Sequence, residues 1–362
     1  MALVQTAAAP ATNPRSNASL LSRLGAVVTP RGAEALGDRL RDLEAWVSAD
    51  LKGFEAEMSA FERGTSLVER SAHHLLDLDG KHVRPLCVLL AARAGSGFNE
   101  AARQLALAVE LAHSATLLHD DVVDLGDTRR GAPTARVVYG NAASIFAGDW
   151  LLVESLRRVR RAGVAGLLDR MLDVIEEMIL AESVQLENRG VVNAALGDYF
   201  RVVEGKTASL FRWAMRAGAT AGGLPEPACD ALERYGHHLG VAFQAVDDLL
   251  DIDGDRAVTG KALFTDLREG KMTYPMIVAL ERSPTLVPVV NECTALAPEE
   301  PLPPAVVERV LQALHSTGAM ADCRALARRH AEEAAAQLSA VPDGPGIAAL
   351  VTVAETTAMR DR

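Results

Sequence analysis

Three aspartates close a long apolar run in the stretch "LLHDDVVDLGDTRRG", and two arginines follow them a few residues later. Asp120 and Asp124 have the i, i+4 spacing, so on a helix they share one face about 6 Å apart. Asp121 is turned by about 100° from Asp120. Like charges this close repel each other, and the helix dipole disfavours anions at a C-terminal end. The motif therefore predicts a cation close by.

The same spacing recurs in "QAVDDLLD", where Asp247, Asp248 and Asp251 close a second apolar run. A single motif of this kind is well explained as the solvated end of a helix, but two matching clusters in one chain are not. Carboxylate oxygens suit Mg²⁺, which commonly binds through carboxylates together with substrate phosphates. The two clusters therefore predict a site for Mg²⁺ and phosphate groups.

Basic residues beside glycines or beside the first cluster supply the matching positive charge. Arginine contacts phosphate through two parallel hydrogen bonds, and lysine acts as a point charge. Each pair alone would be ordinary surface charge, but with the two acidic clusters they describe a cavity for two polyphosphate groups. These residues are Lys81, Arg84, Arg129, Arg130, Lys206 with Thr207, Lys261 and Lys271.

The elements that carry these residues are predicted to be helices. From about residue 33 onward apolar residues recur at intervals of three and four, as in "AARQLALAVELAHSATLLH", and no strand alternation persists. We expect one all-α domain of about ten helices over 33–362, with several helices apolar on more than one face. Residues 1–32 include "AAAPATNP" and are expected to be a disordered tail.

Composition limits the function classes. A net charge of −11 argues against a general nucleic-acid binder. No apolar run is long enough for a membrane span. Cys87, Cys229, Cys293 and Cys323 lack disulfide or metal spacing and are expected to be buried thiols in a reducing compartment. We expect a cytoplasmic protein, with organelle targeting through the acid-free N-terminal tail as the alternative.

The ordered set of motifs resembles the trans-isoprenyl diphosphate synthases, most closely the bacterial octaprenyl-type members. The resemblance runs from about residue 40 to the C-terminus. It implies an all-α bundle around a central cavity, a homodimer, and about three Mg²⁺ ions per active site, for which Mn²⁺ can substitute. The motifs are "GKHVRP", "LAHSATLLHDDVVD", "RRGAPTA", "GNAASIFAGDWLL", "EGKTASLF", "GVAFQAVDDLLD" and "EGKMTYP".

The resemblance also implies roles for single residues. Asp120, Asp124 and Asp121 would bind Mg²⁺ that bridges an allylic diphosphate. Asp247, and more loosely Asp248 and Asp251, would hold another ion across the cavity. The allylic diphosphate would contact Arg129, Lys206, Thr207, Gln244, Lys261 and Lys271. Isopentenyl diphosphate would contact Lys81, Arg84, His113 and Arg130.

One departure from the family pattern lies in "DGKHVRP", where the family usually reads GGKRxRP. Asp79 and His82 replace a glycine and a basic residue, which predicts a slightly weaker isopentenyl diphosphate site. His113 lies about two turns before Asp120 on roughly the same face. The glycine-punctuated segment 254–272 is expected to close over the site as a lid.

The implied reaction is head-to-tail condensation of an allylic diphosphate with isopentenyl diphosphate. Product length would depend on the residues below the first cluster, where short-chain members place an aromatic floor. Ala112, Ala115 and Thr116 are all small here, which predicts a product beyond the twenty-carbon class. Met171 is the candidate for a deeper floor.

Three alternatives stay open at this point. A geranylgeranyl or farnesyl diphosphate synthase would share every motif and stop at a shorter product. A terpene cyclase would share the fold, but it would normally carry an Asn/Ser/Glu metal motif in place of the second aspartate cluster. A non-catalytic partner subunit would lack one cluster or the arginines.

Overall fold

The computed structural model describes residues 34–61, 63–78, 80–192, 195–253, 264–296, 300 and 302–359. In these ranges the chain is almost entirely helical, which confirms the predicted all-α class. The helices are α1 (Glu34–Ser59), α2 (Leu67–Leu76), α3 (Val83–Arg93), α4 (Glu100–Val123), α5 (Ala135–Tyr139), α6 (Asn141–Ala162), α7 (Leu167–Glu187), α8 (Leu196–Val202), α9 (Ser209–Ala221), α10 (Glu226–Asp253), α11 (Thr265–Arg268), α12 (Tyr274–Arg282), α13 (Val287–Thr294), α14 (Pro304–Ser316), α15 (Ala319–Gln337) and α16 (Pro345–Met359).

Helix boundaries follow local sequence signals. Ser66 and Glu69 form a capping box at the start of α2. The Asn99 side chain accepts a hydrogen bond from the backbone N–H of Ala102 and starts α4. Gly163 ends α6 at a φ of 68°, a left-handed conformation that glycine adopts without strain. The described chain has more helices than the expected ten because short helices such as α5 and α11 lie in segments that read as loops.

The molecule is organised around α4 and α10, the two helices that end in the acidic clusters. α4 packs most extensively against α6, and α10 packs most extensively against α15 and α9. Two buried α6 hydroxyls donate to carbonyls of α4, Ser144 to Leu118 and Ser155 to Ala108, each at 2.8 Å. These bonds satisfy polar groups that would be costly to bury unpaired, and they fix α4 on its neighbour.

A two-residue hairpin follows the first cluster and is an exception to the all-helical reading. β1 (Thr128–Arg129) pairs antiparallel with β2 (Ala132–Pro133). The two turn residues, Arg130 and Gly131, have φ values of 53° and 77°, as a type I′ turn requires. Such turns prefer Asn-Gly, so the arginine occupies a strained backbone position.

A π-helical segment, 203–208, joins α8 to α9 and carries the "EGKTA" motif. A Cβ on Gly205 would lie 2.9 Å from the carbonyl oxygen of Glu177 on α7, and one on Gly240 of α10 would lie 2.5 Å from the Ala208 Cα. Both glycines are therefore needed to seat the segment between α7 and α10. π-helical turns are rare and occur often at functional sites.

Candidate active site

The first acidic cluster occupies the C-terminal end of α4. Asp120 and Asp121 lie in its last turn, and Asp124 follows it with its backbone N–H bonded to the Asp120 carbonyl oxygen at 2.8 Å. Three carboxylates therefore meet at the negative end of a helix dipole. This arrangement requires positive charge from elsewhere in the chain.

Cations from separate parts of the chain supply that charge. Lys206 Nζ lies 3.4 Å from Asp120 Oδ2. Asp124 pairs through one oxygen with Lys271 at 2.7 Å and through the other with Arg189 at 2.6 Å. Lys206 and Lys271, two of the lysines that the sequence singles out, thus contact the first acidic cluster.

Asp121 differs from its two neighbours because it is buried. Arg129 donates from Nε to Asp121 Oδ1 at 2.8 Å. Arg129 was expected to contact an allylic diphosphate, and here it also holds the hairpin against the end of α4. Because the Asp121 carboxylate accepts a hydrogen bond from Arg129, it can orient that arginine for phosphate binding. The same carboxylate could also bind a metal ion.

The second cluster ends α10, and its central carboxylate is held by neutral donors. The Tyr199 hydroxyl donates to Asp248 Oδ2 at 2.8 Å, and Gln244 Nε2 donates to Asp248 Oδ1 at 2.9 Å. The backbone N–H of Tyr274 adds a third bond at 3.3 Å. Asp248 is 2% exposed, so this carboxylate is fixed inside the protein.

The outer members of the second cluster have different surroundings. Asp251 accepts the backbone N–H of Thr265 at 2.9 Å and that of Asp266 at 3.3 Å, so it anchors the start of α11. Asp247 is partly exposed, and its negative charge acts on the Arg84 guanidinium. Asp247 is therefore the member best placed for a ligand in the cavity.

Two short segments connect the clusters to each other. In the π-helical segment Lys206 faces Asp120, while the next residue, Thr207, donates to Gln244 Oε1 at 2.9 Å, and Gln244 in turn holds Asp248. Past α11, Lys271 pairs with Asp124 and Tyr274 bonds Asp248. These two segments therefore link the first cluster to the second through Thr207, Gln244 and Tyr274.

Electrostatics in the cavity favour additional cations. Burial raises the pKa of Asp120. The positive charge of Lys206 lowers this pKa, and the negative charges of Glu182 and Asp124 raise it further. Burial and the charge of Asp266 raise the pKa of Asp248 to about 7. Carboxylates with raised pKa values gain most from a bound cation, because it favours their charged form.

The residues expected to bind isopentenyl diphosphate gather around the start of α3. Arg84 is half-buried, with its Cζ atom 4.7 Å from the ring centroid of Phe211. Its Nε is buried without a hydrogen-bond partner among the described residues, which suits an anionic ligand. Lys81 is exposed just before the helix, and Arg130 Nη1 donates to the Leu78 carbonyl oxygen at 3.1 Å.

His113 and His82 lie near the same group of cations. Burial lowers the pKa of His113 well below its ordinary value, and the charge of Arg84 lowers it further, so the ring is neutral at pH 7. His82 lies 3.1 Å from Glu110 and has a left-handed φ of 45°. The departure from the family pattern at position 82 is thus compensated locally by an acidic partner. Asp79, at the other departure, lies outside the described residues.

The small residues below the first cluster separate into two groups. Thr116 is half-buried on the face of Asp120, and Ala112 is fully buried one turn deeper. Ala115 packs instead with Leu111 and other apolar side chains of α2, α4 and α6. Met171 of α7 is fully buried in the same apolar core as Ala112, consistent with a position deeper in the molecule.

Several site residues were not predicted from the sequence. Glu182 pairs with Lys206, Arg189 pairs with Asp124, and Tyr199 bonds Asp248. The only sequence signal is that Arg189 precedes a glycine at the end of a predicted helix, which is too common to be informative. Lys261 and residues 254–263 of the expected lid lie outside the described residues.

The chain is similar in sequence to a known family of enzymes. A family model described as polyprenyl synthetase matches residues 65–310. The chain is 34% identical over 325 residues to the octaprenyl diphosphate synthase of Escherichia coli K12, covering 89% of this chain and 99% of that protein. It is 35% identical over 289 residues to the nonaprenyl diphosphate synthase of Mycobacterium tuberculosis H37Rv, covering 79% and 85%.

Solved structures agree. A polyprenyl synthase from Caulobacter crescentus CB15, complexed with calcium and isoprenyl diphosphate, superimposes with a TM-score of 0.82 at 31% identity, over 90% of this chain and 98% of that one. A decaprenyl diphosphate synthase from Rhodobacter capsulatus gives 0.79 at 31% identity, over 89% and 99%. Among the described residues, every helix is too short or too polar to cross a membrane.

Proposed function

The chain belongs to the polyprenyl synthetase family, and we propose that it condenses isopentenyl diphosphate head-to-tail onto an allylic diphosphate to make a long-chain all-trans polyprenyl diphosphate. The observation that carries this is the pair of acidic clusters at the ends of α4 and α10, with Lys206 and Lys271 at the first cluster and the adjacent Thr207 linked to the second through Gln244. The octaprenyl, nonaprenyl and decaprenyl relatives support the long-chain class. Both clusters and the basic residues are present, which disfavours the cyclase and partner-subunit alternatives.

The site residues divide between the two substrates in this proposal. Lys206, Thr207, Gln244, Lys271, Arg129 and Lys261 bind the allylic diphosphate, and Lys81, Arg84, His113 and Arg130 bind isopentenyl diphosphate. Support comes from the Arg84 Nε, which has no hydrogen-bond partner in the described part of the chain, and from the contacts of Lys206 and Lys271 with the first cluster. Phosphate oxygens would replace these carboxylate partners, because arginine and lysine recognise both kinds of anion.

The family requires a divalent metal, and the residues present fit it. Asp120, Asp124 and Asp247 offer carboxylate oxygens, the ligand type that Mg²⁺ prefers. We propose Mg²⁺ as the physiological ion, about three per active site, with Mn²⁺ as a substitute. When bound, the metal neutralises charge on the departing diphosphate.

The protein's own residues account for the remaining steps. Lysine and arginine side chains orient the two diphosphates, so that the allylic C1 faces the double bond of isopentenyl diphosphate. Cleavage of the C1–O bond leaves an allylic cation, which that double bond attacks to form the new C–C bond. The released diphosphate accepts the proton that restores a double bond. The apolar walls of α4 exclude water that would quench the cation.

We propose that product length depends on Ala112, Ala115, Thr116 and Met171. Phenylalanine at position 115 or 116 should shorten the product, because an aromatic ring would fill the space beneath Asp120. Thr116→Phe has the larger expected effect, since Thr116 lies on the face of Asp120 whereas Ala115 packs toward α6. Chromatography of dephosphorylated products measures this, and unchanged product length in both variants would rule out the assignment.

The decisive experiment for the main proposal is incubation with Mg²⁺, isopentenyl diphosphate and farnesyl diphosphate, followed by chromatography of the products. Polyprenyl diphosphates longer than twenty carbons are expected. A product that stops at fifteen or twenty carbons would support the shorter-chain alternative instead. If no elongated product forms, the proposed reaction is wrong.

We also propose that the chain acts as a homodimer. Large apolar side chains are exposed on α6 and α7, including Phe146 at 59%, Ile179 at 64% and Leu180 at 60%. Large apolar side chains exposed to this extent are typical of a protein–protein interface. Sedimentation should give twice the chain mass, and Phe146→Glu with Ile179→Glu should shift it toward the monomer.

The cellular location and the N-terminal tail form a separate proposal. The four cysteines are free and buried, which suits the reducing environment of the cytoplasm. We propose that 33–362 is one catalytic domain; the expected tail, 1–32, lies outside the described residues. Deleting 1–32 should leave activity unchanged, and the full chain should remain in the cytoplasmic fraction; recovery in an organelle would support the targeting alternative.

A further inference from the structure

A second group of metal-ligating side chains lies away from the acidic clusters. His238 of α10 faces His330 and Glu333 of α15. His238 Nδ1 lies 3.1 Å from His330 Nδ1 and 3.2 Å from Glu333 Oε2, and His330 Nδ1 lies 3.8 Å from the same oxygen. His238 precedes Asp247 by more than two turns of α10, or about 13 Å, so the group is separate from the proposed active site.

These distances match the edges of a tetrahedral metal site. Zn²⁺ binds imidazole nitrogen and carboxylate oxygen at about 2.0–2.2 Å, and two ligands at a tetrahedral angle are then about 3.3–3.5 Å apart. The three observed separations fall on both sides of this range. Small rotations of the partly exposed Glu333 side chain would bring its oxygen to an equal distance from both nitrogens.

The protonation of the two rings also favours a metal. Two facing Nδ1 atoms at 3.1 Å cannot both carry a proton, so at least one ring presents its lone pair to the other. Burial lowers the pKa of His330 to about 4, and burial with the charge of His237 lowers that of His238. Both rings are therefore neutral near pH 7, which is the form that binds metals.

We propose that His238, His330 and Glu333 bind one Zn²⁺ ion, with water as the fourth ligand. Two imidazoles and one carboxylate suit Zn²⁺ and do not suit Mg²⁺, which prefers an all-oxygen shell. The nearby positive charge of Arg329 weakens cation binding at the site, and the negative charge of the Glu333 carboxylate offsets this effect. The ion joins α10 to α15, and thereby stabilises the helix that ends in the second acidic cluster.

The test uses the untagged full-length chain with millimolar Mg²⁺ present, so that the acidic clusters are occupied. Zn²⁺ is titrated calorimetrically into the wild type and into the variants His330→Gln and Glu333→Gln. His237→Gln is the matched control, because His237 is the next residue on α10 and lies outside the group. We expect one Zn²⁺ per chain in the wild type and in the control, and binding at least tenfold weaker in the other two. Equal binding in all four proteins would overturn the proposal, as would the absence of a stoichiometric site in the wild type.

A second measurement guards against misfolding. Glu333 is 45% exposed, so Glu333→Gln should fold normally and melt at the wild-type temperature without zinc. Added Zn²⁺ should raise the melting temperature of the wild type and of His237→Gln, and leave that of Glu333→Gln unchanged. An equal rise in Glu333→Gln would show that zinc binds elsewhere and would refute this site.

Discussion

The two acidic clusters have the same DDxxD spacing and similar positions at helix ends, yet their surroundings differ. In the first, long cationic side chains neutralise the carboxylates: Lys206, Lys271, Arg189 and Arg129. In the second, neutral groups hold the central carboxylate: the Tyr199 hydroxyl, the Gln244 amide and a backbone N–H.

This difference separates two tasks. Long cationic side chains can exchange a carboxylate partner for a phosphate by rotating, so the first cluster is adapted to a substrate that arrives and leaves. Neutral donors fix the direction of the Asp248 oxygens but add no net positive charge, so its pKa stays raised at about 7. The second cluster is thus the more rigid and the more dependent on a bound cation.

The largest expected effect follows from removing a carboxylate of the first cluster. Asp120→Asn should lower kcat by on the order of 10³-fold, because it removes a metal ligand and one of the two carboxylates that pair with Lys206. Steady-state kinetics at saturating Mg²⁺ measures the loss. Asp149→Asn, an exposed aspartate on α6, is the control and should retain full activity. A loss of less than about tenfold in Asp120→Asn would contradict the assigned role.

The second prediction concerns pH and Asp248. Its folded-state pKa of about 7 lies above the ordinary value of 3.8, so its contribution to stability is complete below pH 3.8 and is lost as the pH rises through 7. Between pH 4 and 8 the metal-free wild type should therefore lose on the order of 4 kcal/mol of unfolding free energy relative to Asp248→Asn. Urea unfolding in EDTA measures this.

The comparison between variants reports on Asp248 and the groups coupled to it, such as Asp266, since groups far from Asp248 titrate alike in both proteins. Mg²⁺ should remove most of the difference at pH 8, because a bound cation stabilises the charged form of the carboxylate, which predominates above pH 7. If the two metal-free proteins show parallel pH profiles, Asp248 does not have the raised pKa and the contrast between the clusters fails.

A smaller effect is expected from a residue that supports the first cluster indirectly. Arg189 holds Asp124 and also donates to the Glu269 carbonyl oxygen at 3.0 Å. Arg189→Gln should raise the Mg²⁺ concentration for half-maximal activity by about tenfold, because groups that orient metal ligands typically contribute this much. Arg201→Gln, an exposed arginine of α8, is the control. An unchanged Mg²⁺ requirement would show that the pair is ordinary surface charge.

The smallest effect is expected at the last aspartate of the second cluster. Asp251 is occupied by the backbone N–H groups of Thr265 and Asp266, so Asp251→Asn should lower kcat by less than about tenfold. The loss in Asp247→Asn should be at least ten times greater. Equal losses in the two variants would mean that Asp247 and Asp251 work more alike than their contacts indicate.

The sequence alone predicts the helical class, and it also singles out aspartates and cations that the structure brings into contact, such as Lys206 with Asp120 and Lys271 with Asp124. Periodicity defines α4 and α10 because each buries a broad apolar face, and the aspartate spacing depends only on local helix geometry. That is why Asp120 and Asp248 were identified without tertiary information.

What was missed depends on contacts between distant segments. Tyr199 reaches Asp248 only because α8 and α10 pack together, and no local pattern marks it. The π-helical turn at Lys206 requires the two close approaches at Gly205 and Gly240. The anchoring of α11 by Asp251 likewise depends on where the chain returns after the segment that follows α10.

The turn at Arg130 has a consequence for engineering this protein. With a φ of 53°, the position favours asparagine or glycine, and either would relieve about 1 kcal/mol of backbone strain. A library screened only for heat resistance would therefore enrich substitutions here and discard a cation proposed to bind substrate. A selection on this protein should therefore test catalytic turnover after heating. Variants that keep Arg130, with its strained backbone and its guanidinium, would then survive the selection.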